Sequence, residues 1–190
     1  MALEVLISEG IENVKVQRIA QKLDCPRSSF YWYFKDRSEL LSALLQHWKD
    51  TNTNAITQKA ALAAETVNSA VINVCCCWVN SSLFDPRLDF AIRDWGTRDF
   101  EIGASVEKAD DDRVYAISTM FARYGYSEEE AFVRGRILYF TQIGYYALKV
   151  KDADETRAKL SPQYIFCHTG QYPTEQEMQP LYNAFDTKTM

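Results

Sequence analysis

Apolar side chains recur three and four residues apart through most of the chain, the period of helices buried along one face. Ala2 to Ser8 places Leu3, Leu6 and Ile7 together, and Gly10 stands where a helix C-cap is expected. Lys15 to Leu23 follows, with Val16, Ile19, Ala20 and Leu23 on one side. Asp24-Cys25-Pro26 breaks it, and Pro26 suits the first position of the next helix. That helix is expected over Arg27 to Phe34, with Phe30 and Phe34 turned inward. Asp36, with Glu39 three residues on, reads as an acidic capping box opening a long helix that carries Leu40, Leu41, Leu44, Leu45 and Trp48.

Beyond Thr53 the pattern stays helical: an Ala-rich stretch to Ala64, then Val67 to Val79, then a restart at Asp85-Pro86 through Trp95. Arg98 to Tyr124 and Ser127 to Val150 come next, separated by Tyr124-Gly125-Tyr126, with Ser127 and Glu130 as a capping box. Arg157 to His168 is stopped by Gly170 and Pro173, and Thr174 with Glu177 caps a last helix over Glu175 to Phe185. The expected fold class is all-α: an N-terminal three-helix helix-turn-helix domain joined by a long helix to a larger helical bundle. The expected division is 1–48 and 49–190.

Composition agrees with this picture and narrows it. The 190 residues are 47% hydrophobic and 13% aromatic, and hold only seven Gly and five Pro, which favours helices over a many-turned β protein. No run of about 18 apolar residues predicts a membrane span, and Glu4 and Glu9 argue against a signal peptide. A cytoplasmic protein is the expectation. The five cysteines are an odd number, against a disulfide framework, and Cys75, Cys76 and Cys77 on one helix point about 100° apart, too divergent for one metal ion. They read as small hydrophobes. Neither a metal site nor a cofactor is expected.

Charge is distributed unevenly. The chain carries −5, yet residues 15–37 hold six basic residues against two acids, a local +4. Such an island suits nucleic acid, because phosphate neutralisation supplies most of the non-specific affinity for DNA. Two short helices, a tight turn and a longer helix give the helix-turn-helix arrangement. Its second helix offers Arg27, Ser28, Ser29, Tyr31 and Tyr33 beside the inward Phe30 and Phe34. Arg pairs bidentately with guanine, and the hydroxyls serve bases or phosphates. Lys35 and Arg37 suit phosphate contact, as does Lys15 at the start of the preceding helix.

The sequence Gly10-x4-Lys15-x3-Ile19-Ala20-x8-Ser29-Phe30-Tyr31-Trp32-Tyr33-Phe34-x2-Arg37-x2-Leu40-Leu41 resembles the DNA-binding domain of TetR-family transcriptional regulators over about residues 2–48. The resemblance implies that Arg27, Ser28, Ser29, Tyr31 and Tyr33 occupy recognition-helix contact positions. It places Lys15 and Gln17 at contact positions on the preceding helix, and Arg37 where the family has a phosphate-binding Lys. Lys15 stands where the family usually has Thr, Asp24 where Gly is common, Pro26 in place of a Ser cap and Tyr33 in place of His. These departures bear on base preference more than on docking. The chain begins about ten residues later than such domains usually do, so the first helix reads as truncated.

Residues 50 to 190 resemble the family's sensor domains more loosely, at Asp85-Pro86-x5-Ile92-Arg93-Asp94-Trp95, Glu130-Ala131-x2-Arg134-x3-Leu138-Tyr139-x4-Gly144 and Thr169-Gly170-x2-Pro173-Thr174. The resemblance implies a homodimer built on two late helices, about 127–149 and 157–168. Ala131, Gly135, Leu138, Gln142 and Tyr145 share one face of the first, and Tyr164, Ile165 and His168 could line the second; the same stripes would also serve the monomer's core. An effector pocket is likewise implied, with Trp78, Phe84, Phe90, Trp95, Phe121, Tyr139 and Phe140 as an aromatic stock that would equally build ordinary core.

The functional expectation is therefore a non-enzymatic, DNA-binding transcriptional regulator. It would be a repressor binding a palindromic double-stranded operator as a homodimer, released by an unidentified apolar or aromatic small molecule. The alternative is an architectural DNA-binding protein without an effector, whose large domain only dimerises. A cavity in that domain would favour the former, a solid core the latter.

Overall fold

The computed structural model describes residues 1–186. They are helical and without strands, as the pattern predicts, and fall into two compact units. The first takes Met1–Asn52 together with Asp85–Ala109, and the second takes Thr53–Phe84 with the chain from Asp110 on. The first unit thus includes residues 85–109, which a division at 48/49 assigns to the larger domain.

In the first unit, α1 (Ala2–Glu9) ends at Gly10, whose φ of 79° lies in the region glycine tolerates best. A 3₁₀ turn (Ile11–Asn13) leads to α2 (Val16–Lys22), α3 (Arg27–Phe30) and α4 (Arg37–Trp48), followed by α7 (Pro86–Gly96) and the first part of α8 (Phe100–Ala122). The turn between α2 and α3 is a Schellman motif. Cys25 N–H donates to Ala20 O and Asp24 N–H to Gln21 O, while Asp24 takes φ 49°. Aspartate serves where glycine is usual because its short side chain tolerates the left-handed region.

The chain leaves α3 earlier than expected. Tyr31 and Tyr33 donate backbone bonds three residues back, to Ser28 and Phe30, so the Tyr-Trp-Tyr stretch continues as tight turns rather than α-helix. Five consecutive aromatic residues after Ser29 supply weak helix propensity there. Asp36 caps α4 as predicted by accepting from Glu39 N–H at 2.9 Å. The core gathers Val5, Leu6, Ile19, Phe30, Leu44, Ile92 and Trp95. Trp48 is fully buried there and donates its indole N–H to buried Asp89 at 2.7 Å, while Arg93 neutralises that carboxylate at 2.9 Å.

The second unit holds α5 (Asn54–Ala61), α6 (Val67–Val79), the rest of α8, α9 (Glu128–Ala147), α10 (Asp154–Thr169) and α11 (Glu175–Asp186). A π-turn (Lys49–Thr53) precedes α5. The expected boxes form: Ser127 accepts from Glu130 N–H at 3.2 Å, and Thr174 and Glu177 cap each other at 3.2 and 2.6 Å. α6 is almost wholly apolar and packs against α5, α10 and α11. Burial pushes the Cys75 and Cys77 thiols up to about 12, so they stay protonated and pack as small apolar groups. Arg113 is fully buried, donating to Thr53 Oγ1 and to the Tyr139 hydroxyl at 2.9 Å with Asp110 nearby.

Candidate functional site

The polar surface of the helix-turn-helix comes from two short elements held at their apolar sides. Phe30 is buried and packs edge-on to Tyr31 and tilted against Phe34. This anchor leaves Arg27 and Ser28 exposed, Ser29 half-buried, and Tyr31, Trp32 and Tyr33 at 56%, 84% and 80% exposure. Lys15 and Gln17 on the α2 side are exposed, as is Lys35. All of these predicted DNA-contact residues lie in the first unit. Trp32, the most exposed of the aromatic run, lies outside the predicted set; its position between the two tyrosines is the signal.

The +4 of the island is not all available. Glu9, at the end of α1, bonds both Arg18 and Lys22, the latter at 2.8 Å, and these two cations hold its carboxyl below the usual range. Arg18 and Lys22 therefore brace α2 against α1. Lys15, Arg27 and Lys35 have no ion-pair partner among the described residues, so they are the cations a polyanion meets first.

Arg37, predicted as a phosphate contact, has a structural task. Its Nε donates to Val14 O at 2.6 Å and its Nη2 to Ile11 O at 3.0 Å. Two carbonyls of the segment between α1 and α2 are thereby satisfied from the first turn of α4. A guanidinium presents five donors, so this leaves some of its hydrogen-bonding capacity outward.

The helices expected to dimerise divide their faces differently from the sequence reading. Ala131, Gly135, Leu138, Ile165 and His168 are buried within the second unit, and Gln142 and Tyr145 are half-buried. Gly135 packs against Ser118 of α8. Of the predicted set Tyr164 stands out, at 49% exposure. The face left open is one residue round: Phe132, Val133, Ile137 and Phe140 on α9, with Leu160 and Tyr164 on α10. Small residues at helical spacing mark a close helix approach, and here that approach is α8 against α9.

The aromatic set predicted for an effector pocket also separates. Trp95 is buried in the first unit's core, where Phe90 is half-buried. Phe84 stacks on Tyr146, Phe121 packs edge-on to Tyr126, and Tyr139 bonds Arg113 and Asp110 in the second unit's core. Phe140 is half exposed beneath the Arg136 guanidinium. Trp78 alone of the seven borders a pocket of about 100 Å³ that is lined by α6, α9, α10 and α11 and open on one side, where Leu160 and Tyr164 are exposed. Leu138, Gln142, Tyr145, Tyr164, Ile165 and His168, assigned above to dimerisation, line it as well. Burial, with Arg134 nearby, lowers the His168 pKa to about 4, so its imidazole is neutral.

Among the described residues no helix is long and apolar enough to cross a membrane. No solved structure matches the chain. Among protein families, residues 1–44 match the bacterial regulatory proteins, tetR family. That span holds α1 to α3 and the start of α4, the elements that build the exposed Arg27 and tyrosine surface. The chain is a DNA-binding transcriptional regulator with an N-terminal helix-turn-helix of the tetR family.

Proposed function

We propose that this regulator is a repressor that binds a two-fold operator as a homodimer and is released by a small molecule bound in its second unit. The observation that carries the DNA-reading assignment is the surface formed by Arg27, Tyr31, Trp32 and Tyr33 beside Lys15 and Lys35, which have no ion-pair partner among the described residues. Arg27 would read a base edge and the lysines would hold phosphates. The reading is regulatory rather than catalytic.

The half-exposed apolar residues of α9 and α10 support dimerisation, since contiguous exposed apolar surface marks interaction sites. A two-fold dimer would present two recognition helices to a palindrome. Two copies of a modest cationic surface on an otherwise acidic chain would also multiply affinity through effective concentration. The cavity favours an effector-controlled regulator over a purely architectural protein, which needs only a solid core.

The test is a gel-shift titration against DNA upstream of the protein's own gene, with Arg27→Ala plus Tyr31→Ala as the perturbation and sizing chromatography in parallel. The double variant is expected to lose specific binding and keep its oligomeric state. Undiminished binding would sink the assignment of this helix.

A further inference from the structure

Of the six cations in residues 15–37, two are held by one acid from outside that stretch. Glu9, the last residue of α1, accepts from Arg18 Nε on one carboxylate oxygen and from Lys22 Nζ on the other, the latter at 2.8 Å. Both oxygens are therefore engaged, each by a different cation of α2. A carboxylate in the last turn of a helix meets the negative end of its dipole, so Glu9 depends on these cations for its compensation. Arg18 and Lys22 keep 45% and 40% of their side-chain surface open to solvent, so both stand within reach of a polyanion. Half-exposed pairs add little to stability, and their larger consequence is that two cations are taken.

The position of the two cations gives this weight. Lys15 stands at the N-cap of α2, exposed and with no ion-pair partner among the described residues. Arg18 and Lys22 follow it at i+3 and i+7, the spacing that keeps side chains on one side of a helix. The three form one cationic stripe, of which Glu9 leaves only the Lys15 end unengaged. Each phosphate that a cation neutralises adds affinity for any sequence and steepens the fall of that affinity with salt. A carboxylate tethered on the neighbouring helix competes with those phosphates at high effective concentration.

We propose that Glu9 is an internal competitor for the DNA backbone: its carboxylate holds Arg18 and Lys22, withholds two phosphate contacts, and so limits the sequence-independent affinity of the regulator. The proposal rests on the reading above that the Lys15 side of α2 meets DNA. Phosphate contacts carry no sequence information, so the clamp lowers binding to operator and unrelated DNA alike and leaves their ratio unchanged.

The test is a fluorescence-anisotropy titration of the full chain from about 50 to about 200 mM salt. One labelled duplex carries DNA from upstream of the protein's own gene, and a second of equal length carries a scrambled sequence. Glu9→Gln should steepen the slope of log affinity against log salt by roughly 1.8, the worth of two phosphates. Its gain is then about tenfold larger at the low-salt end, and equal on the two duplexes. Glu12→Gln removes the same charge from an exposed side chain with no ion-pair partner among the described residues, and should leave the slope unchanged. With Glu9 in place, Lys15→Gln should make the slope shallower by about 0.9 and Lys22→Gln should not change it; in the Glu9→Gln background Lys22→Gln should also remove about 0.9. The Lys22 and Lys15 comparison needs no change at Glu9, so it decides the matter even if Glu9→Gln folds poorly. A Glu9→Gln slope no steeper than that of Glu12→Gln overturns the proposal. So does Lys22→Gln costing as much as Lys15→Gln while Glu9 is present, or a gain confined to the upstream duplex. If Lys15→Gln also leaves the slope unchanged while the upstream duplex still binds, DNA meets another face, and the reading of this surface falls together with the clamp.

Discussion

Gly135 and Gly144 lie on one helix, and their alanine variants are expected to change stability in opposite directions. A Cβ built on Gly135 falls inside van der Waals contact of Ser118 Oγ, 3.0 Å from Ser118 N and 3.2 Å from its Cα. The hydroxyl could turn aside, giving up its 2.8 Å bond to Val114 O, but the backbone of α8 cannot. α9 must therefore move away from α8 by a few tenths of an ångström. Overpacking of this kind costs roughly 1–3 kcal/mol, while replacing a helical glycine by alanine returns about 1 kcal/mol. The balance for Gly135→Ala is a loss of about 1 kcal/mol. At Gly144 a Cβ meets nothing within 4 Å, so only the helical gain remains, about 0.5–1 kcal/mol. Urea unfolding at one fixed protein concentration should separate the two variants by about 2 kcal/mol, or several degrees in Tm. Ser118→Ala added to Gly135→Ala should recover part of the loss by removing the nearest clash. A Gly135→Ala protein as stable as Gly144→Ala would refute the close approach of α8 and α9.

Other expectations follow from the buried polar groups and the open face. His168 has its pKa lowered from 6.5 to about 4, so between these values the unfolded chain takes up a proton that the folded one refuses. Stability should fall as pH drops through that window, by up to about 3 kcal/mol, and His168→Gln should flatten the slope of urea midpoint against pH. Arg37→Ala strands the carbonyl of Val14 and takes one of two donors from that of Ile11, which Val14 N–H still meets, and should destabilise the first unit by roughly 1–3 kcal/mol. Thermal unfolding beside a salt titration of DNA binding distinguishes this from loss of a phosphate contact, which would leave Tm unchanged and make the salt dependence shallower. Val133→Glu with Ile137→Glu alters side chains that are 52% and 50% exposed. Helix content by circular dichroism should hold while sizing chromatography shifts toward monomer; an unchanged elution volume would exclude this face.

The amino-acid sequence by itself determined what depends on near neighbours. Helix periodicity, the caps at Asp36, Ser127 and Thr174, and the turn at Asp24 are set within a few residues, so they are visible in order along the chain. The recognition surface is legible for the same reason, because Phe30 fixes which sides of one short segment remain outside. Long-range geometry decided the rest. No local pattern says that Glu9 occupies Arg18 and Lys22, or that Arg37 reaches back to Ile11 and Val14. Nor does an apolar stripe announce which neighbour it will bury against. The stripe of Ala131, Gly135 and Leu138 satisfies a dimer seam and an internal helix contact equally well at the level of periodicity. Only the packing of α9 on α8 turned it inward and left Val133 and Ile137 outside. The cavity is the extreme case, since its walls come from four helices that only the tertiary fold brings together.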